Sequence, residues 1–582
     1  MSHDTEYIDT DILIVGSECA GARAAIEARE HGLNVAVVTK GKISKSGATL
    51  TAAADIDVDS RSALLLFNQR GDERDSPEIF FEDVVKEGKY LNNQELVEIM
   101  VREAPLRVKE MVEWGMRISN LIKAPGHRYP RGLWTSGVEI MHVLKSKLKK
   151  SGAELYEYTM ITDLIRERGR VCGAVGVNRV DGTFRVFRAK AVVLATGGAM
   201  RIWPLTTAPE ELTGDGYAMA YRAGAELVDM EFPMFMPACV LYPPLAKGSQ
   251  FPYIMAAYFG GWMLNRSGER FISKWDPERM ERSTRDIIAV AVMTEILEGR
   301  GSPRGGVYVS FKHLPENLLE DATLWHPVIK NWKFDGFNIK EIFDPTREAI
   351  EAAPATHYWN GGIRINTKCE TSVTGLYAAG ECAGGFMGAN RLSGAALTQA
   401  LVTGARAGKY ASQFAMGTSL PTINETTIKE LREKVYKPIE AKEGISPIHL
   451  RKELQKIAAT YVGPVRDETG LKSALRELGE IKSMLPRVST KCKDTEFNME
   501  WCEALQLENM AEVLEMVVQG SLAREESRGA MYRRDFPNTD NDLWLKNIIV
   551  FQDQGQMQIK KVPVVITRIS PPRGVKKYPG EG

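Results

Sequence analysis

The seven cysteines, at 19, 172, 239, 369, 382, 492 and 502, include no C-x-x-C pair and no ferredoxin-like group of four. The chain is therefore not expected to hold an iron–sulfur cluster or a structural zinc of its own, and no metal site is assigned. A partner could still carry a cluster. Net charge is lacking too: 75 Lys and Arg stand against 75 Asp and Glu. That balance excludes the electrostatic footprint of a dedicated nucleic-acid binder or a polybasic membrane-surface protein. No apolar run approaches the ~18–20 residues of a membrane span, and the opening MSHDTEYIDT has neither the basic nor the apolar region of a secretory signal. The expectation is a cytoplasmic protein with a small-molecule ligand, reaching a membrane only through partners. What the chain does have is length: 582 residues, 44% hydrophobic and 26% charged, enough for roughly three or four folding units.

The run TDILIVGSECAGARAAIEAREHGLNVAVVTK opens with a strand over Ile12–Val15 and a glycine turn. An Ala-rich helix to about Glu30 and a second strand over Val35–Val38 complete a βαβ unit. Two further strand–turn pieces follow, at Ala189–Met200 and Gly375–Gly385, the second leading into a helix over Ser393–Met416. The alternating runs VCGAVGV and GTFRVFR, just before the second piece, predict a small antiparallel sheet. Residues from about 235 to 350 lack this grammar, apart from a helical run over Ser283–Glu298. From about Glu425 to Leu522 apolar residues recur at helical spacing, which predicts a helical bundle. The last fifty residues alternate like a short hairpin.

Gly16 permits the sharp strand-to-helix turn, and Gly21 lets the helix pack close while its amides face a pyrophosphate. Glu18 occupies the middle position of the G-x-G-x-x-G fingerprint, where a carboxylate repels phosphate unless it points outward or pairs with a base. The other motifs add weight. ATGG (195–198), AAGE (378–381) and GANRLSGAALTQALVTGARAG (388–408) resemble the FAD-binding elements of the succinate dehydrogenase and fumarate reductase flavoprotein family. That family also contains L-aspartate oxidase and, more distantly, the flavoprotein subunit of adenylylsulfate reductase. LTGDGYAMAYRAGAELVDMEF (212–232), STRDIIAVA (283–291), THYWNGGI (356–363) and ESRGAMYRRDFP (526–537) match in family order.

The resemblance implies an α/β fold: a split Rossmann-like FAD-binding domain (1–234 and 351–418), an inserted α+β capping domain (235–350), a helical domain (419–522) and a C-terminal segment (523–582). It implies FAD held by Gly16 and Gly21 in the first turn, by Thr39 and Lys40 after the second strand, and by Ser46, Gly47 and Thr49 beyond it. Ala195, Thr196, Gly197 and Asp215 would contribute from the second piece. Glu381 would hold the ribose, with Arg391, Ser393, Ala396 and Leu397 at the start of the following helix. Family members attached covalently to FAD use a His in the segment matching SKSGATLTAAAD (44–55); this chain has none there, so its FAD is expected to be noncovalent.

Redox chemistry at a carbon–carbon bond beside a carboxylate needs a hydride carrier, a proton donor and cations for the carboxylate. By resemblance Arg285 is the acid, and His357 and Arg391 bind substrate. On residue type alone, Arg285 could instead pair with Asp286 or Glu281, His357 could be a satisfied core histidine, and Arg391 could anchor the FAD phosphates. Other family positions are changed. Met236 stands where the family has a substrate-binding His, and Tyr253, Ile254 and Ala257 replace the Thr, Glu and Arg of a loop that relays protons. Losing those anchors would leave one carboxylate of a four-carbon dicarboxylate poorly paired, at about 1–3 kcal/mol or more. The expectation is hydride transfer between FAD and an anionic substrate with one carboxylate and a bulkier apolar part, lying against Met236, Tyr253 and His357, with electrons passing to an iron–sulfur subunit. The alternatives are a noncatalytic flavin relay and an adenylylsulfate-reductase-like subunit. Arg524 and Arg528 could face the partner, or pair internally with Glu525 and Glu526.

Overall fold

A run of β-branched residues in β1 (Thr5–Val15), the Ala-rich α1 (Cys19–Glu30) and a second apolar strand, β2 (Val35–Val38), form the first βαβ unit. The computed structural model describes residues 4–52, 55–242, 244–315, 333–334, 337–338 and 347–579. A one-turn helix, α2 (Ala48–Thr51), leads to β3 (Asp55–Asp57), which pairs antiparallel with β4 (Gly132–Trp134). The main sheet is completed by β5 (Glu154–Tyr156), β6 (Thr159–Glu167), β7 (Arg170–Asn178) and β8 (Phe184–Leu194), in the order β5-β2-β1-β8-β7-β6. The VCGAVGV and GTFRVFR runs are antiparallel, as expected, but they do not form a sheet of their own. β8 is long enough to serve two neighbours on one edge, pairing with β7 through its first half and, through Val192–Leu194, with a strand from the third piece.

Between those pieces, β9 (Pro233–Tyr242), α3 (Phe251–Phe259), β10 (Trp262–Leu264), α4 (Arg285–Leu297), β11 (Val307–Ser310) and β12 (Ile350–Trp359) build a separate four-stranded sheet, order β9-β12-β11-β10. Part of the stretch read as a capping domain, residues 316–332, 335–336 and 339–346, lies outside the described residues. The third piece supplies β13 (Leu376–Ala378), which joins β8 in parallel, and α5 (Ala395–Met416). The parallel strands β1, β2, β8 and β13 thus end together, and a crevice opens beyond their carboxyl ends.

Helices α6 (Glu425–Glu440), α7 (Pro447–Tyr461), α8 (Glu468–Met484) and α9 (Met499–Ala523) form the expected bundle. The hairpin β14 (Lys546–Asp553) and β15 (Gln556–Pro563) extends a sheet with the short strands Leu227–Val228 and Gly362–Ile363. Arg524 and Arg528 point inward. Arg524 binds Glu231 at 2.8 Å and Glu526 at 2.9 Å, and Arg528 binds Glu526 at 2.8 Å, all four fully buried. Of the two sequence neighbours proposed as their partners, Glu526 is one; the other carboxylate is Glu231, brought from 293 residues away. Among the described residues no helix is long and apolar enough to cross a membrane.

Helix α1 is buried along most of its length because the sheet covers one side and α5 the other. The two helices approach so closely that a Cβ on Gly404 would lie 2.5 Å from the Ala20 carbonyl oxygen. Gly404→Val is expected to lower the denaturation midpoint of the FAD-loaded protein, by about 1–3 kcal/mol of stability, as for other overpacked cores. A wild-type midpoint would show that the helices can separate without cost.

Candidate functional site

A cavity of about 560 Å³ runs from the carboxyl ends of β1, β2, β8 and β13 to the inserted sheet. At its β1 end the chain turns through Gly16, whose φ of +109° suits glycine and where a Cβ would overlap the Ala195 carbonyl oxygen. Gly21 is not on the cavity wall. It packs α1 onto the turn, a Cβ there overlapping the Gly16 carbonyl oxygen. The remaining residues assigned to FAD, from Thr39 to Leu397, all line the cavity. Lys40 forms an ion pair with Asp215 and donates to Thr213 Oγ1 at 2.7 Å. Asp215 also accepts from Asn509 of α9 at 2.8 Å, so the bundle braces this end. Glu381 accepts from the Trp359 amide at 2.8 Å, and burial pushes its carboxyl up to about 7.

At the other end, Arg285 heads α4 and Arg391 precedes α5, both in buried surroundings. Arg285 Nη2 donates to Ser393 Oγ at 2.8 Å, and Arg391 stacks over the Tyr358 ring at 4.6 Å. Neither Asp286 nor Glu281 takes Arg285: Asp286 accepts from Thr284 and lies 3.6 Å from Lys89, while Glu281 pairs with Arg270. One N–H group on each of these guanidiniums, Arg285 Nη1 and Arg391 Nε, has no partner. Burial and the neighbouring Arg285 lower Arg391 to about 10, still a cation at neutral pH. His357 Nδ1 lies 2.8 Å from Thr207 Oγ1. Burial, then Arg391 and Arg285, hold this imidazole neutral, well below its ordinary value. The result is an anion-binding corner built from two cations and one neutral hydrogen-bonding ring.

Met236 lines this end, but Tyr253 does not. α3 sets the Tyr253 ring behind Arg285, its centroid 6.0 Å from the guanidinium carbon, so it backs the arginine instead of walling the cavity. Lining residues near this end that sequence reading missed include Thr207, Lys247, Gln250 and Asp55. Lys247 and Gln250 come from the loop between β9 and α3, where KGSQ looks like an ordinary polar loop. The Asp55-Ile56-Asp57 alternation was a usable signal, because it puts two carboxyls on one face of a short strand.

The residues at the nucleotide end fit a dinucleotide. Glu18 does not cap the amino end of α1; its first amide, Cys19 N–H, donates to Thr49 Oγ1 at 3.3 Å, and a glycine turn beside it leaves room for the phosphates. Glu18 neither points outward nor pairs with a base. It folds beneath Gly47, its Oε2 accepting from the Leu50 amide at 3.2 Å, and burial pushes it up to about 8. Below that pH the carboxyl is neutral and does not oppose a phosphate. FAD affinity is therefore expected to fall as pH rises through about 8, by about fivefold for a partly screened charge pair, and Glu18→Gln is expected to abolish the fall. Fluorescence titration of the apoprotein checks both; equal pH dependence in the two proteins would place the effect elsewhere.

Comparison with known proteins agrees with this geometry. A family described as FAD binding domain matches residues 11–397, and one described as fumarate reductase flavoprotein C-term matches residues 451–578. One of the subunits of the fumarate reductase (CoM/CoB) of Methanothermobacter marburgensis is 36% identical over 94% of this chain and 98% of its own. Among solved structures, Mycobacterium smegmatis Sdh1 in complex with UQ1 superposes with a TM-score of 0.86, at 32% identity over 97% of this chain and 95% of that one. An adenosine-5-phosphosulfate reductase shares the fold, with a TM-score of 0.79 at 24% identity over 97% of this chain and 98% of that one. The chain belongs to the succinate dehydrogenase and fumarate reductase flavoprotein family and is an FAD-dependent oxidoreductase acting on CH–CH bonds.

Proposed function

We propose that the chain adds or removes hydrogen across a carbon–carbon bond beside the carboxylate of a small anion that carries one carboxylate and an apolar body bulkier than succinate. The observation that carries this reading is the cavity corner of Arg285, Arg391 and His357, with its two buried guanidinium N–H groups that have no hydrogen-bond partner, on the same wall as the apolar Met236. Arg391 and His357 hold the carboxylate and Arg285 donates the proton. Bound FAD gives or takes the hydride.

FAD is held without a covalent bond: among the described residues the one histidine on the cavity wall is His357, committed at the substrate end. Electrons pass to an iron–sulfur partner. That reading is supported by kinship with the flavoprotein subunits of fumarate reductases and succinate dehydrogenases.

Acid precipitation is expected to release all of the flavin into the supernatant; flavin retained on the polypeptide would refute noncovalent binding. With a reduced viologen as donor, cinnamate is expected to be reduced faster than fumarate, and sulfite plus AMP to leave the flavin oxidised. Preference for fumarate would overturn the substrate reading. Arg285→Gln is expected to keep its flavin spectrum while losing about 10²- to 10⁴-fold in kcat, the range of a general acid. Full activity in that variant would remove Arg285 from the acid's role.

A further inference from the structure

The relay residues that the family places on the loop before β10 are Ile254 and Ala257 here, so α3 offers Arg285 no carboxylate or base. Its two tyrosines, Tyr253 and Tyr258, are both pushed up by burial and hold their protons. A different set of titratable groups lies behind the arginine. β3 alternates, so Asp55 and Asp57 emerge on one face, with Cβ atoms about 7 Å apart and carboxyls within reach directly or through one water. Asp55 lines the cavity beside Arg285 and Arg391. Asp57 is fully buried, and neither of its carboxyl oxygens has a hydrogen-bond partner. It is wedged against the start of α5, where a Cβ on Gly394 would overlap Oδ1, and its Oδ2 lies 3.6 Å from His127 Nε2.

An ionised carboxylate left without one hydrogen bond in such a place is very costly, so Asp57 carries a proton. Burial and Asp55 push its carboxyl well up, against the pull of Arg131, Arg391 and Arg285. His127 is buried as well. Its Nδ1 faces the Arg131 Nη1 donor at 3.4 Å, which assigns the ring proton to Nε2, where it donates to the Ser393 carbonyl at 2.9 Å. Burial, with Arg131 acting in the same sense and the Ser393 bond, Asp83 and Asp75 opposing, lowers His127 to about 4. Ser393 also accepts from Arg285 through its hydroxyl, so one residue ties the arginine to the histidine.

We propose that Asp55, Asp57 and His127 form the path by which protons reach Arg285, in place of the pair missing from α3. This rests on Arg285 being the acid of the proposed reaction. Saturating a carbon–carbon double bond consumes one hydride, which brings both electrons from the reduced cofactor, and one proton. The proton leaves an Arg285 N–H for the substrate carbon. The neutral guanidine takes the Asp55 proton, Asp55 takes that of Asp57, and Asp57 is reprotonated from solvent through His127. Each O–H or N–H bond broken is matched by one formed, every residue returns to its starting charge, and no second reductant is needed.

The test uses the FAD-loaded protein and two readouts. In the infrared, the wild type is expected to show a protonated-carboxyl band from about pH 5 to about pH 8, where free carboxyls are ionised. Glu18, Glu381 and Asp55 contribute to that band as well, so Asp57→Asn is expected to remove one component of it, read in the difference spectrum against the wild type. His127→Phe keeps that component but slows its shift on transfer into D2O at least about tenfold, the signature of a blocked proton route. His127→Gln, which keeps a donor for the Ser393 carbonyl, is expected to slow it likewise and separates loss of the route from loss of the fold. In turnover of cinnamate or fumarate, whichever the wild type reduces, Asp57→Asn lowers kcat at least about tenfold at unchanged KM and raises the solvent deuterium isotope effect; Asp57→Glu restores part of the rate. A wild-type minus Asp57→Asn difference spectrum with no protonated-carboxyl component, or equal exchange of that component in the His127 variants and the wild type, overturns the path. If the band and its exchange behave as stated while neither acid is reduced, the path stands and the substrate reading fails.

Discussion

Two guanidinium groups at one corner of the cavity, the buried Arg391 and the half-buried Arg285, set the terms for the rest of the site. Keeping two like charges out of water and near one another is unfavourable unless something negative is supplied. The chain supplies it sparingly. Ser393 and the Tyr358 ring face them, and Asp55 stands near, yet an N–H of each arginine remains open. A site left short of negative charge in this way binds an anion without first breaking an internal ion pair. The same field holds His357 neutral, so the ring contributes direction and not charge. At the far end of the cavity the balance is reversed: Lys40 is already neutralised by Asp215, and Glu18 and Glu381 sit in surroundings that raise both carboxyls. One end is tuned for an incoming charge and the other for a cofactor that stays.

Much of this was legible in the sequence because the signals are local. The β1–α1–β2 unit is continuous in the chain and its periodicity switches cleanly from strand to helix. The residues expected to meet the nucleotide follow directly from strand ends, so locating Gly16, Ala195 and Glu381 also located one wall of the cavity. Arg285 and Arg391 were recognisable because each opens a helix within a distinctive motif.

What was not legible depended on where side chains turn after the backbone is placed. Tyr253 was expected to line the substrate pocket, yet α3 sets its ring against Arg285 and off the cavity wall. Glu18 gave no hint that it would fold under Gly47. Lys247 belongs to a loop whose composition is that of any surface turn. The antiparallel runs in β7 and the first half of β8 looked like an independent sheet because strand periodicity reports a strand's faces and is silent about its edges. Glu231 could not be matched to Arg524 in advance, since no local pattern links residues 293 positions apart.

The double edge of β8 bears on how the chain reaches this structure. Val192–Leu194 must wait for Leu376–Ala378, which the ribosome delivers about 180 residues later, and the entropy of closing so long a loop is recovered only once that short contact forms. Until then the exposed edge of β8 is a half-finished sheet, open to mispairing. The cavity that fits the dinucleotide is lined by residues from before and after the insertion, so a cofactor held there would bridge the two pieces and act as an assembly clamp. Flavin supply would then govern how much protein matures as well as how much of it works.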